Sequence, residues 1–470
     1  MISIFRIFEP FRIGVLFLFL IIIKLPMLIN GVPLILPELS WMLVAERMNE
    51  GFVLYKDIWV TLEPFSAGTY LLLYKLAGNS QLSYQICSLL FVFIQAILLN
   101  MVLNINNAYP EKTLIPALLY IIFSSIFFDF MTLSPPLMGA TFVIIALHYV
   151  FLQTRAGGND ENMFYTGLFI GIASLFYLPY FVFMIFSIFS FVLYVGPGLR
   201  KYLIMILGFL LPFLIIGVYY FCLDGLGSLY HNFIISLFLG LKNKLISNSA
   251  MLVLLMIPGL LFAVAVFYVS ARAKYTNYQF NCFRIMGLWL GFGIISVLLS
   301  ITISPYLLMM LVPGLAYFCT NFFLLAKHSI IEESVFWATT LLMLLVSYGV
   351  LYGIGFKKSP IAFESMKVKE AASVAPAEQI NDSKILVLGD NPSLYRNNKI
   401  ATPYYNWTLS RRHFSDLDNY KTLSNIYSNF LKDMPDVIID EHGVGDYLFY
   451  RIPILGKEYQ KAGNLYIRRH

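Results

Sequence analysis

The chain has 470 residues, of which 59% are hydrophobic, 17% aromatic and only 12% charged. Soluble globular proteins carry about a quarter charged residues, so this composition excludes that class and indicates an integral membrane protein. The net charge of +6 falls largely in loops between apolar runs, so we expect membrane lipid and no nucleic acid among the partners. The four cysteines lie in or beside apolar stretches without a CxxC spacing, which predicts neither disulfides nor a cysteine metal site.

Apolar runs long enough to cross a bilayer, which takes about 20 residues, recur along the first three quarters of the chain. The first run, from Gly14 to Asn30, ends without a small-x-small cleavage site, so it predicts a membrane helix and not a signal peptide. We predict about eleven transmembrane helices, at 11–29, 83–105, 112–130, 134–154, 163–179, 181–197, 201–222, 250–270, 281–300, 304–325 and 333–355.

The distribution of basic residues predicts the orientation of these spans. Arg6 and Arg12 precede the first span, and every second loop after it carries Lys or Arg, whereas the short loops near Thr132, Leu178 and Ser304 carry none. Basic residues concentrate in cytoplasmic loops. The pattern therefore predicts a cytoplasmic N-terminus, and an odd number of spans places the C-terminal segment outside. We expect a multi-pass membrane protein with an extracytoplasmic C-terminal domain.

The composition changes after residue 356. Residues 357–383 lack periodicity and indicate a linker, which separates a transmembrane domain (1–356, including a first extracytoplasmic loop at 30–82) from a C-terminal domain at 384–470. That domain begins with a short apolar run, 384–390, which ends in a Gly turn. A second such run spans 435–440, and a helical pattern lies between them around 423–431. Strand, helix, strand indicates a small extracytoplasmic α/β domain.

The first predicted loop contains a helix pattern directly after the first span. Trp41, Val44, Ala45 and Met48 share one helical face, which predicts a short amphipathic helix lying in the membrane interface. Glu38 stands at its start, where a carboxylate interacts favourably with the helix dipole.

The loop continues with Gly51, Tyr55, Asp57-Ile58-Trp59 and Pro64 before the next apolar run. This order resembles the first loop of the GT-C superfamily of polytopic glycosyltransferases, which use polyprenyl-phosphate sugars, and in particular bacterial mannosyltransferases and aminoarabinose transferases. The resemblance implies a GT-C-like α-helical membrane fold with a small periplasmic domain. It also implies a bacterial inner membrane, a place in the cell envelope and a polyprenyl-phosphate-linked sugar as the donor.

Mapped onto this sequence, the resemblance places Glu38 at the position of the catalytic acid. A carboxylate there would deprotonate the acceptor hydroxyl or help to hold a divalent cation. The segment Asp224 to Asn243 resembles the later loop that closes over the lipid phosphate. The candidate substrate-binding residues are Arg47, Asp57, Glu63, His231, Lys242 and Lys244.

The first loop departs from the family pattern in two places. Leu62-Glu63-Pro64 stands where the family has Lys-Pro-Pro, and Val60 stands where an Asp usually follows Ile-Trp. A phosphate donor requires basic partners. These departures leave two functions open: a glycosyltransferase, and a non-catalytic scaffold of the same fold that serves an envelope assembly or secretion complex with protein partners.

Each candidate residue also has a purely structural interpretation. Glu38 could compensate the helix dipole, and Asp57 could be a turn residue. Arg47 could pair with Glu50, and Lys242 and Lys244 could be interfacial anchors. A transporter is disfavoured because its ionisable residues would lie inside the spans. Here the ionisable residues of the spans fall towards predicted span ends: Lys24, Asp129, Arg284 and Glu333.

Overall fold

The computed structural model describes residues 1–155, 158–236, 243–272, 274–326, 329–352, 366–368 and 382–469. The chain folds into two compact units. The first, here called the helical unit, comprises Met1–Val32, Gln81–Ile216 and Lys242–Ser365. The second, the loop–sheet unit, comprises Pro33–Ser80, Gly217–Leu241 and Met366–His470. The first predicted loop therefore clusters with the C-terminal domain and not with the spans that flank it in sequence.

Each of the eleven predicted spans coincides with a helical segment. Within the described residues, eight helices have the length and apolar composition to cross a membrane: Phe11–Asn30, Gln81–Ile105, Pro135–Thr154, Leu199–Cys222, Asn248–Arg272, Asn277–Leu299, Pro305–Leu325 and Ile330–Tyr352. Three shorter helical segments complete the set: Ile115–Phe123, Asp160–Phe176 and Leu178–Tyr194. The prediction of a polytopic α-helical membrane protein is confirmed.

Glycines bring two of these helices into backbone contact. A Cβ added to Gly167 would lie 1.9 Å from the carbonyl oxygen of Met205, and one added to Gly208 would lie 2.3 Å from that of Phe164. Both distances are far below van der Waals contact, so only glycine fits. Small residues allow such close approach between membrane helices, which maximises dispersion contacts.

Two alanine substitutions in the helix Leu199–Cys222 should therefore have opposite effects. Gly208→Ala forces the helices apart and should destabilise the protein by about 1–3 kcal/mol, as overpacking generally does. Gly217 has no atom within 4 Å of its added Cβ, so Gly217→Ala should be neutral or stabilise the helix by up to about 1 kcal/mol. Thermal unfolding in detergent compares the two. Equal melting temperatures for both variants would contradict the close helix contact.

A two-stranded ladder joins two loops of the helical unit. Strand β1, Asn243–Lys244, pairs in parallel with β2, Thr302–Ile303. Directly after β2, the Ser304 hydroxyl and the Tyr306 backbone N–H donate to one carboxylate oxygen of Asp129, at 3.1 and 2.9 Å. The segment between the helices Asn277–Leu299 and Val312–Leu325 is therefore fixed on both sides.

Two ionisable residues of the helical unit are deeply buried. Lys24 is 1% exposed and Asp129 is fully buried, so both side chains lie inside the packed unit. The Lys24 ammonium donates to the Ser124 carbonyl at 3.2 Å and lies within electrostatic range of Asp129. The second Asp129 oxygen is buried without a hydrogen-bond partner among the described residues.

The loop–sheet unit contains a five-stranded sheet in the order β4-β3-β5-β7-β6. Strands β3, β4 and β5 are parallel, and β6 and β7 form an antiparallel edge. The strands are β3 Lys384–Leu388, β4 Lys399–Ile400, β5 Val437–Asp440, β6 Tyr459–Ala462 and β7 Leu465–Arg468. The two strands predicted from apolar runs are both present, and the predicted helix between them spans Tyr420–Lys432.

Alternate residues of the strands face opposite sides of this sheet, and each side has its own core. On one side, Leu386, Leu388 and Ile438 pack with helices that follow β4 and β5. These helices are Trp407–Ser415, Tyr420–Lys432, Gly445–Arg451 and Pro453–Glu458. On the other side, Ile385 and Val387 pack against Leu39 and Leu43 of the first loop. The first loop thus supplies one of the two layers that cover the sheet.

Candidate active site in the first loop

The first-loop helix spans Leu36–Asn49, with Pro37 in its first turn. Proline is favoured there because its missing N–H would lack a partner in any case. Glu38 lies in the same turn and is 3% exposed. Glu38 therefore lies at the start of a helix, and its carboxylate is buried inside the loop–sheet unit.

The first-loop helix is buried on more than one face. Its buried residues are Glu38, Leu39, Trp41, Met42, Leu43, Val44, Ala45 and Arg47. Leu39 and Leu43 face the sheet, and Trp41 stacks on Tyr70 of the helix Pro64–Ala77 with ring centroids 5.6 Å apart. A helix in a membrane interface keeps one face in water. The prediction of an interfacial helix is therefore wrong, because the sheet covers one side of this helix and the helix Pro64–Ala77 covers another.

Arg47 occupies the centre of a buried charge network. Its guanidinium donates to Glu50 at 2.6 Å, pairs with Asp433, and lies over the Phe52 ring at 3.7 Å from the centroid. Burial lowers the pKa of Arg47, although its hydrogen bond to Glu50 opposes that shift. Asp433 in turn accepts from the Thr402 N–H at 3.0 Å. The Arg47 side chain is therefore committed to partners within the protein.

The Tyr55–Trp59 stretch shapes the loop. Tyr55 has a φ of 65°, and its fully buried side chain donates to the Leu62 carbonyl at 2.6 Å. The Asp57 carboxylate accepts from the Val53 N–H at 3.1 Å, which closes the turn before it. The backbone N–H of Trp59 donates to the Pro403 carbonyl at 2.9 Å. In these contacts the residues of the family motif act as structural elements of the loop.

A later segment of the chain, residues 223–233, contacts the turn that contains Tyr55 and Lys56. Asn232 donates to the Tyr55 carbonyl at 3.0 Å, and Phe233 stacks on the Tyr55 ring with centroids 5.9 Å apart. The Lys56 ammonium donates to the Leu223 carbonyl at 2.7 Å. The segment predicted as the later loop, beginning at Asp224, thus contacts the first loop inside one unit.

The structure places the remaining predicted site residues as follows. Glu63 is 8% exposed and precedes the helix Pro64–Ala77 as its N-cap residue. His231 is exposed in the helical turn Tyr230–Ile235 of the loop–sheet unit. Lys244 is exposed in β1 and belongs to the helical unit, and Lys242 lies outside the described residues. Glu38, Arg47, Asp57, Glu63 and His231 all fall within one compact unit.

Three residues that sequence reasoning missed hold the first-loop helix, which carries Glu38. The Tyr405 hydroxyl donates to the Ser40 hydroxyl at 2.7 Å, and Ser40 donates to the Leu36 carbonyl at 3.1 Å. Burial raises the pKa of Tyr405 to about 12, so its hydroxyl remains a donor at physiological pH. Asp433 is the third, through its pair with Arg47. No local pattern signals these residues, because their partners are more than 360 positions away.

A divalent cation would need several oxygen ligands close together. Over the described ranges, no group of three or more His, Cys, Asp or Glu side chains could hold a metal ion. The Glu38 region therefore does not fit a metal site built from protein ligands alone, and no step of the proposed reaction is assigned to a metal.

Solved structures of ArnT resemble this chain. The apo crystal structure of ArnT from Cupriavidus metallidurans has 11% sequence identity and a TM-score of 0.55, and the match covers 94% of each chain. ArnT bound to undecaprenyl phosphate has 13% identity and a TM-score of 0.49, and the match spans 72% of this chain and 64% of ArnT. Protein-family models and curated proteins yielded no match. The similarity to the apo form shows that the chain has the polytopic GT-C-like fold.

Proposed function

We propose that this protein is a membrane glycosyltransferase that moves a sugar from a polyprenyl-phosphate donor to an extracytoplasmic acceptor. The observation that supports the proposal most is a buried carboxylate, Glu38, at the start of the first-loop helix in a chain with the fold of ArnT. ArnT itself has been crystallised with undecaprenyl phosphate, which suggests the class of donor. A bacterial inner membrane, with the loop–sheet unit on the periplasmic side, belongs to the same proposal.

Glu38 would act as the general base. It would take the proton of the acceptor hydroxyl while that oxygen attacks the anomeric carbon of the sugar. A new carbon–oxygen bond forms, the bond from the anomeric carbon to the phosphate oxygen breaks, and polyprenyl phosphate leaves with the bonding electron pair. Attack opposite the leaving phosphate inverts the anomeric configuration. The leaving phosphate is a stable anion, so the reaction needs no separate general acid.

The donor phosphate would need cationic contacts. Lys244 and His231 are both exposed, and we retain them as candidates together with Lys242. Arg47 is a weaker candidate, because Glu50 and Asp433 already occupy its guanidinium. Asp57 and Glu63 carry negative charge, and we assign them to shaping the acceptor side of the loop.

A donor-turnover assay tests the proposal. Purified protein is mixed with undecaprenyl-phosphate mannose or undecaprenyl-phosphate aminoarabinose, with a membrane lipid extract as the acceptor source. Release of undecaprenyl phosphate is followed by mass spectrometry. We expect release from one donor that requires both the protein and the extract. No release from either donor, together with a stoichiometric protein partner on purification, would favour the scaffold function instead.

A further inference from the structure

The sheet of the C-terminal domain is the surface on which the first-loop helix rests. Leu39 and Leu43 of this helix belong to one apolar core with Ile385 and Val387 of β3, which fixes how far the helix stands from the sheet. Residues in such a core contact each other over many atoms. Glu38 directly precedes Leu39, so the backbone that carries its carboxylate is held by the same core.

A backbone bridge fixes the start of the same helix. The Leu36 N–H donates to the Met366 carbonyl at 2.9 Å, and the Val368 N–H donates to the Leu34 carbonyl at 3.0 Å. Residues 366–368 lie inside the predicted linker. This short stretch therefore forms an isolated antiparallel β-bridge with the residues at the start of the helix, and its bond to Leu36 lies two residues before Glu38.

Side-chain bonds hold the helix at two further points. The bond from Tyr405 to Ser40 continues to the Leu36 carbonyl, so it ties the first helical turn to the domain. At the other end, Arg47 pairs with Asp433, which also accepts from the Lys384 ammonium at 3.0 Å. Glu38 thus lies between the backbone bridge on one side and the Tyr405 contact on the other.

We propose that the C-terminal domain positions the candidate base Glu38, with Tyr405 and Asp433 as positioning residues. This inference rests on the proposed function, in which Glu38 deprotonates the acceptor. Tyr405 and Asp433 touch neither donor nor acceptor in this proposal. They act through Ser40 and Arg47 on the orientation of the helix that carries the base. An error of about 1 Å in the position of a catalytic group can lower the rate about a hundredfold.

The first test separates turnover from binding. Tyr405→Phe keeps the ring that packs on Tyr395 and removes only the bond to Ser40. We expect kcat for undecaprenyl phosphate release to fall about tenfold or more, with KM for the donor unchanged within twofold. Ser40→Ala removes this bond and also the bond from Ser40 to the Leu36 carbonyl, so it should lower kcat at least as much. The double variant should be no slower than Ser40→Ala alone, because the Tyr405 bond is already absent there.

A matched tyrosine provides the control. Tyr447 donates to Asp418 at 2.6 Å on an exposed part of the same domain. Tyr447→Phe removes a bond of the same chemistry and should leave kcat unchanged. Full kcat in Tyr405→Phe, or an equal loss in Tyr447→Phe, would overturn the positioning role.

The second test requires no turnover and so remains valid if the proposed function fails. Glu38→Cys places a thiol at a position that is 3% exposed in the native protein. Its alkylation by N-ethylmaleimide, mapped by mass spectrometry of the peptide, reports how often the helix leaves the domain. Adding Tyr405→Phe should speed alkylation about fivefold, and adding Asp433→Asn at least tenfold. Equal rates in all three proteins would show that the domain does not hold Glu38.

Discussion

Replacing Glu38 by glutamine should lower the rate of undecaprenyl phosphate release by about 10²- to 10⁴-fold, the range that general bases contribute. The amide has nearly the same size as the carboxylate but cannot accept the proton of the acceptor. Because Glu38 is 3% exposed, a near-isosteric change should leave the surrounding packing in place. The measurement is kcat in the donor-turnover assay, with thermal unfolding to confirm that the variant is folded.

Glu46→Gln is the control for this variant. Glu46 lies two turns further along the first-loop helix and is half-buried, and burial together with Glu50 raises its pKa. Its amide variant removes the same chemical group from the same helix and should retain wild-type turnover. A folded Glu38→Gln variant with wild-type kcat would exclude Glu38 as the base, whatever the fold.

Much of this architecture was predictable from local sequence. The strands at Lys384–Leu388 and Val437–Asp440 are short apolar runs, and the first-loop helix begins at a proline followed by an acidic residue. Spans and strands follow from such patterns because burial in lipid or in a core selects residues position by position. The membrane fold and the place of Glu38 within a helix could therefore be inferred before any coordinates.

The tertiary contacts of the first-loop helix could not be inferred in this way. The polar composition of the linker does not show that Met366–Val368 bridges to the first loop. Arg47 has an obvious partner at Glu50, which hides the pairing with Asp433, 386 positions away. Amphipathic periodicity identifies a helix but does not say whether membrane, water or a sheet covers each face. Such pairings depend on tertiary structure, which places the first loop in the same unit as the C-terminal domain.

The same limit applies to the helical unit. Lys24 and Asp129 belong to separate apolar segments, in which the other charged residues, Arg12 and Lys112, lie at the segment starts. Neither segment therefore indicates a partner. In the structure both are buried and within electrostatic range of each other, and Asp129 also accepts from Ser304 and Tyr306. Charges inside a membrane protein face the protein interior and pair with one another. We therefore expect the pair to couple the first span to the segment that follows β2.

Removing one member of this pair should destabilise the protein strongly. Lys24→Met leaves the Asp129 carboxylate buried without its opposite charge, and we expect a loss of about 3–5 kcal/mol, the usual cost of such a change. Asp129→Leu should cost at least as much, because Ser304 and Tyr306 also lose their acceptor. The double variant Lys24→Met/Asp129→Leu removes both charges and should be more stable than the Asp129→Leu single variant.

The free energy of unfolding of the four proteins, measured in mixed detergent micelles, forms a double-mutant cycle. Coupling between the two sites should appear as a non-additive term of about 1–3 kcal/mol. Glu9→Gln is the control, since Glu9 pairs with Arg12 at 2.9 Å but has a side chain that is 53% exposed. Exposed ion pairs contribute about 0–1 kcal/mol, so this variant should unfold almost as the wild type does. Strictly additive losses would mean that Lys24 and Asp129 stabilise the helical unit independently, through Ser124 on one side and the Ser304–Tyr306 segment on the other.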